Sequence, residues 1–176
     1  MLDRVREALF STLGGWLDGA RVLDLYSGSG SIGLEALSRG ARFVRLVEKS
    51  KAARRALNRN VDSLDVHDRV EVSGGDALDP ANWEAPDGAA FNGWADIVLM
   101  DPPYPHAENE PERTQLLEAM EELVSRVIAP DGVLVLHTSP RALNEAQFPA
   151  AWDQNHRIYG RSALWYLQQA QSEDPR

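Results

Sequence analysis

A short apolar run that breaks into a glycine-rich turn and then into a helical pattern constrains this chain most. Residues 21–26 (Arg21-Val22-Leu23-Asp24-Leu25-Tyr26) read as a buried strand, and Ser27-Gly28-Ser29-Gly30-Ser31-Ile32-Gly33 follows. Residues 32–38 then carry helical spacing, with Gly40 placed to cap the C-terminus. Glycines there let backbone approach a ligand closely, and a helix N-terminus offers unpaired N–H groups.

The same alternation continues along the chain. Residues 43–47 form the next expected strand, and Ser50 is a good N-cap for a helix running to about Asn60. A third strand is expected over 69–73, a surface loop over 79–94, and a fourth strand over 96–100. Apolar residues at Leu116, Leu117, Met120, Leu123, Val124, Val127 and Ile128 predict a helix within 113–128. Pro130-Asp131-Gly132 predicts a turn before a fifth strand over 133–136. Strands alternating with helices imply a parallel α/β sheet covered on both faces. The last two strands, 157–159 and 163–167, are separated only by a short stretch around Gly160. They must therefore pair as an antiparallel hairpin. The expected organisation is a single domain over 1–170 and a frayed tail over 171–176.

Composition excludes several classes. The 176 residues include no cysteine, which removes disulfides, thiolate zinc sites and cysteine nucleophiles. No apolar run approaches the roughly 20 residues that span a bilayer, and the opening MLDRVREALF lacks a signal-peptide core. A cytoplasmic protein is the expectation. His67, His106, His137 and His156 are scattered without paired-ligand spacing, so they read as surface or loop residues and no metal site is expected.

Two sets of residues carry chemistry. Asp24, Glu48 and Asp76 stand at the C-terminal ends of three consecutive expected strands, where open α/β sheets bind ligands. Glu48 is placed to accept hydrogen bonds from ribose hydroxyls, and Asp76 to sit beside a base. An ionised Asp24 would repel a pyrophosphate and attract an ammonium, which favours S-adenosylmethionine over NAD.

The second set is Asp101-Pro102-Pro103-Tyr104. An amino group conjugated to a base ring is a poor nucleophile because its lone pair is delocalised. The Asp101 carboxylate and the Pro102 carbonyl are two acceptors that would favour a pyramidal nitrogen. The prolines fix φ and hold that carbonyl in place. Tyr104 offers a ring face for a base taken out of its stack.

Together these motifs resemble class I S-adenosylmethionine-dependent methyltransferases acting on exocyclic amines. More narrowly, the chain is similar to the RsmD family, which methylates guanine N2 in bacterial small-subunit ribosomal RNA. The matching stretches are DRVREALF over 3–10, LDLYSGSGSIGLEALSRGA over 23–41, Val47-Glu48-Lys49, Gly75-Asp76-Ala77, DPPY over 101–104, and Tyr159-Gly160. The resemblance implies a seven-stranded Rossmann-like sheet ordered 3-2-1-4-5-7-6. It implies a cofactor site of Asp24, Gly28, Gly30, Glu48 and Asp76, with Tyr26, Ser27, Lys49 and Ala77 beside them. It places Asp101, Pro102, Pro103 and Tyr104 at the base site. Family members usually carry a β-hairpin and an Arg-Pro-Thr segment ahead of DRVREALF, and the sequence here opens at Met1-Leu2-Asp3. The alternatives are adenine-N6 or other amino methylation on DNA or RNA, a Rossmann dehydrogenase, and a non-catalytic module that keeps the cofactor fold.

The formal net charge is −9, yet residues 1–70 carry +3 and residues 71–176 carry −12. Eight basic side chains fall within 39–59 (Arg39, Arg42, Arg45, Lys49, Lys51, Arg54, Arg55 and Arg59). They are either a solvated helix face or a phosphate-contacting patch. Arg4, Arg39, Arg54 and Arg55 are the candidate RNA contacts. The expected partner is ribosomal RNA, within an assembled or assembling small subunit, bound by a monomer.

Overall fold

The computed structural model describes residues 1–86 and 93–170, so the expected tail over 171–176 and part of the 79–94 loop lie outside the described residues. Five strands run parallel: β1 (Arg21–Leu25), β2 (Phe43–Val47), β3 (Val70–Ser73), β4 (Ala95–Met100) and β5 (Ile128–Thr138). Two more, β6 (Trp152–Tyr159) and β7 (Ser162–Gln169), form an antiparallel hairpin that joins β5 through β7. The order is β3-β2-β1-β4-β5-β7-β6. The inferred sheet and its closing hairpin are therefore observed, with longer hairpin strands than the expected 157–159 and 163–167.

Alternation along each central strand builds two cores, one on each face. Val22, Ile97, Leu99, Val133 and Val135 point to one side. There they meet α1 (Asp3–Leu13), α2 (Ser31–Ser38) and α3 (Lys51–Leu64) through Val5, Leu9, Phe10, Leu37, Leu57 and Val61. Leu23, Leu25, Val98, Met100, Leu134 and Leu136 point to the other side. That side is covered by α5 (Glu112–Glu122), which packs Leu116 and Met120 inward. A five-residue helix, α4 (Tyr104–Glu108), is little more than a single turn, and it directly follows the two prolines. No helix among the described residues is long and apolar enough to cross a membrane.

Several boundaries differ from the sequence expectation, each for a physical reason. The 79–94 segment is not wholly a surface loop. Trp83 is 0 % exposed and Trp94 is 3 % exposed, and both sit in the core under α5. Trp83 Nε1 donates to Ala77 O at 2.8 Å and Trp94 Nε1 to Trp83 O at 2.8 Å, so each buried indole is satisfied. The helix expected within 113–128 is α-helical only to Glu122 and continues as a π-helical turn over Leu123–Val127. The Pro130-Asp131-Gly132 turn is an irregularity inside β5, where the register with β4 shifts between Ala95 and Ile97. Ser50 caps α3 as expected, its Oγ accepting from Ala53 N at 3.3 Å, and the helix runs four residues beyond Asn60.

Candidate active site

The strand order reverses between β1 and β4, and a cleft of about 610 Å³ opens beside the C-terminal ends of these strands. Its size suits a cofactor-sized ligand. Tyr26, Glu48, Lys49, Ala77, Asp101, Pro102, Pro103 and Tyr104 all line it.

The turn after β1 is held from below. Tyr26 leaves the strand at φ 64°, a left-handed conformation unusual for an aromatic residue. Ser27 Oγ donates to Asp24 O at 2.6 Å and to Val47 O at 3.2 Å, fastening the turn to β2. Gly30, at φ 80°, precedes α2, and a side chain there would strike Leu57 of α3. Gly33 packs its bare Cα against β2, where a Cβ would crowd Val44 and Asp24 Oδ2 at 2.9 Å each.

Asp24 lies beneath this turn and does not line the cleft: it is 1 % exposed. Its Oδ2 accepts from Gly33 N at 2.9 Å, and its Oδ1 is buried with no hydrogen-bond partner. Burial pushes its carboxyl up to about 8, offset in part by the Gly33 bond and reinforced by Asp101 and Glu48. An acid so raised is largely uncharged at neutral pH. The electrostatic preference for an ammonium over a pyrophosphate, expected from an ionised Asp24, therefore does not operate from this position unless a bound cation ionises it. Asp24 instead organises the turn.

Glu48, at the end of β2, reaches under the same turn. Its Oε2 accepts from Gly28 N at 2.8 Å and its Oε1 from Ser50 N at 2.7 Å. Asp76 follows β3, pairs with Lys49 at 3.2 Å and accepts from Leu78 N at 3.1 Å. The Leu78 bond and the Lys49 charge hold its carboxyl below the usual range against the effect of partial burial. Asp76 faces an adjoining cavity of about 580 Å³ that shares Lys49 and His106 with the main cleft.

Asp101 follows β4 beside the end of β1, its N donating to Leu25 O at 3.4 Å. Its Oδ1 lies 2.6 Å from His137 Nδ1, and its Oδ2 lies 3.2 Å from the α-amino group of Met1. Burial raises its carboxyl, and the hydrogen bond and charge at His137 with the Met1 ammonium more than offset this, holding it below the usual carboxylate range. Tyr104 is 40 % exposed at the cleft edge, with its hydroxyl 3.5 Å from Ser162 Oγ. An acceptor oxygen and an accessible aromatic face thus line the cleft with Tyr26 and Glu48, while Ser27, Gly28, Gly30 and Asp76 do not line it.

A family model described as conserved hypothetical protein 95 matches residues 1–168. The chain belongs to this family. It is the RsmD-type methyltransferase family that the motifs resemble. YlbH of Bacillus subtilis, provisionally named an rRNA methyltransferase, is 32 % identical over 135 residues, covering 76 % of this chain and 67 % of YlbH. Ribosomal RNA small subunit methyltransferase D of Escherichia coli K12 is 37 % identical over 102 residues, covering 58 % of this chain. The match spans 48 % of that relative's length. Among solved structures, Escherichia coli YhhF, provisionally titled a methyltransferase, superposes with a TM-score of 0.76 at 27 % identity, over 96 % of this chain and 86 % of that one.

The basic run divides between paired or part-buried cations and an exposed set of Arg42, Lys49, Lys51, Arg55 and Arg59. Arg45 is 6 % exposed and pairs with Glu71 at 2.7 Å. Arg39 pairs with Glu35 at 2.7 Å and lies over the Phe10 ring. Arg54 donates to Glu48 O at 3.2 Å, its guanidinium against Gly74. Arg4 and Arg55 are exposed on α1 and α3. None of Arg4, Arg39, Arg54 and Arg55 lines the main cleft.

Sequence reasoning missed His106, His137, Arg161 and Ser162, all of which line the cleft. The expectation that His137 is a surface or loop residue is corrected: it is 4 % exposed near the end of β5. The available signal was register. A parallel β4–β5 pair that aligns Met100 with Leu136 sets His137 beside Asp101.

Proposed function

We propose that this protein transfers a methyl group from S-adenosylmethionine to the N2 amino group of a guanine in small-subunit ribosomal RNA. The observation that carries this reading is the shared cleft, which Asp101, Pro102, Pro103 and Tyr104 line together with Tyr26, Glu48, Lys49 and Ala77. The naming of a relative as small subunit methyltransferase D supports the substrate class.

The residues present suit the cofactor. The buried, unpartnered Asp24 Oδ1 leaves polar capacity beneath the turn, and the glycines keep side chains off it. Tyr26, Ser27, Gly28 and Gly30 would flank the methionine moiety above Asp24. Glu48 and Lys49 would take the ribose, and Asp76 and Ala77 the adenine. Bound there, S-adenosylmethionine supplies an electrophilic methyl on a sulfonium.

The chain's own work is orientation. Asp101 accepts one N–H of the target amine and the Pro102 carbonyl accepts the other, which directs the nitrogen lone pair across the cleft. Tyr104 stacks on the base. Nitrogen attack forms the N–C bond as the C–S bond breaks, and the proton then lost by nitrogen passes to Asp101 or water. Positioning of this kind supplies much of the rate.

The acidic net charge and the pairing of Arg39, Arg45 and Arg54 with groups of this chain support a substrate presented in an assembling or assembled small subunit, where ribosomal proteins add basic contacts. The reading takes the protein to act as a monomer, in the cytoplasm where subunits assemble. Labelled methyl transfer to small subunits, naked 16S RNA and DNA, with the product base identified by mass spectrometry, tests the proposal. N2-methylguanine is expected, and N6-methyladenine would overturn the choice of base.

A further inference from the structure

His137 is a buried titratable side chain to which the methyl-transfer reading gives no task. We propose that it is a positioning residue, donating through Nδ1 to Asp101 Oδ1 so that Oδ2 is turned to the target amine. The inference rests on the proposed methyltransferase function and extends it to a residue outside the DPPY motif.

Four observations support it. The Nδ1–Oδ1 separation is 2.6 Å, a short hydrogen bond to an ionised acceptor. The His137 ring is 4 % exposed and packs against the Tyr104 ring at 5.8 Å, so the donor is held in place beside the aromatic edge of the cleft. Nε2 is buried without a hydrogen-bond partner, which leaves Asp101 as the partner that accounts for a polar ring at this place. Finally, the parallel register that aligns Met100 with Leu136 puts His137 beside Asp101 through backbone pairing alone.

The physical need is clear from the position of Asp101. It sits just past β4, followed by two prolines that fix the backbone but do not restrain its side-chain torsions. A carboxylate free to rotate would present either oxygen, or an edge, to the amine. A misplacement of about 1 Å can cost about 100-fold in rate. A donor locked in the neighbouring strand removes that freedom. Oδ2 is the oxygen left for a donor from the cleft, and in this structure it accepts from the Met1 amino group at 3.2 Å.

Three variants of the full chain separate positioning from packing. His137→Leu removes the donor, His137→Asn keeps an N–H at the place of Nδ1, and His137→Gln moves the N–H one atom further out. Each is assayed for kcat and KM on the RNA that the wild type methylates, for cofactor affinity by calorimetry, and for thermal unfolding. The expected result is a fall in kcat of about 100-fold in His137→Leu, with KM and cofactor Kd within about threefold. His137→Asn recovers to within about tenfold of wild type, and His137→Gln recovers less. If His137→Leu does not fold, the Asn-against-Gln order decides. A kcat within about threefold of wild type in His137→Leu overturns the inference, as does an Asn variant that folds yet is no better than Gln. A wild type that transfers no methyl group overturns the function and this inference together. An active wild type indifferent to His137 overturns this inference alone.

Discussion

Asp101 and Asp24 are both buried acids near the cleft, yet their surroundings drive them in opposite directions. Asp101 meets donors and stays ionised below the usual carboxylate range. Its charge is thus available throughout the neutral region, and activity that depends on it falls only as pH drops through that lowered value. Asp101→Ala is expected to lower kcat by at least about 100-fold while cofactor affinity, read by calorimetry, stays within a few-fold. Asp24 meets mainly apolar burial, and its carboxyl rises to about 8. The native state then binds this proton more tightly than the unfolded chain does. Its stabilisation is full below about 4 and is lost as pH rises through about 8. Asp24→Asn keeps an acceptor for Gly33 N–H, so its denaturation midpoint should change less than that of wild type between pH 5 and 9. Parallel midpoints for the two proteins would contradict this account of Asp24. The site acids themselves were legible from their places at strand ends, but their charge states were not, because burial depends on what the fold stacks above them.

At the scale of elements, the strand, glycine turn and helix over residues 21–38 were readable because local sterics dictate them. Gly33 shows the constraint directly, since a Cβ there would crowd Leu46, Val44 and Asp24. Gly33→Ala should destabilise the fold by about 2–3 kcal/mol in chemical denaturation and weaken cofactor binding, because the α2 N-terminus must shift off β2. Ser50→Ala should cost about 1 kcal/mol through loss of the α3 cap and leave the cleft intact. A stability unchanged in Gly33→Ala would show that α2 yields more easily than its packing implies. The errors have an equally physical origin. Pro, Gly, Asn and Asp in 79–94 do mark a turn-rich segment, yet Trp83 and Trp94 anchor it in the core. Composition describes the backbone's freedom and says nothing about which aromatic side chains find a cavity. Apolar spacing over 113–128 likewise cannot separate an α-helix from the π-helical turn that ends it.

For the molecule as a whole, topology converts distant segments into one site. The glycine turn and the DPPY segment are about 75 residues apart in sequence, and the β1–β4 pairing brings them side by side at one end of the sheet. That much followed from right-handed crossover logic and the family motifs. The partner of Asp101 did not, because β5 supplies it through register. The charge distribution also changes meaning once folded. Several cations of the 39–59 run are held by Glu35, Glu71, Asp76 and the Glu48 carbonyl. Affinity for naked RNA should therefore be weak, and its logarithm should fall with the logarithm of salt concentration with a slope no steeper than about −3 in filter binding. A steep slope would reveal a phosphate-binding surface larger than this pairing leaves. The most direct measurement is methyl transfer from labelled S-adenosylmethionine to purified small ribosomal subunits, with digestion and mass spectrometry of the RNA. The account predicts N2-methylguanine with wild type and none with Asp101→Ala. Transfer that survives in Asp101→Ala, or a labelled base other than guanine, would contradict it.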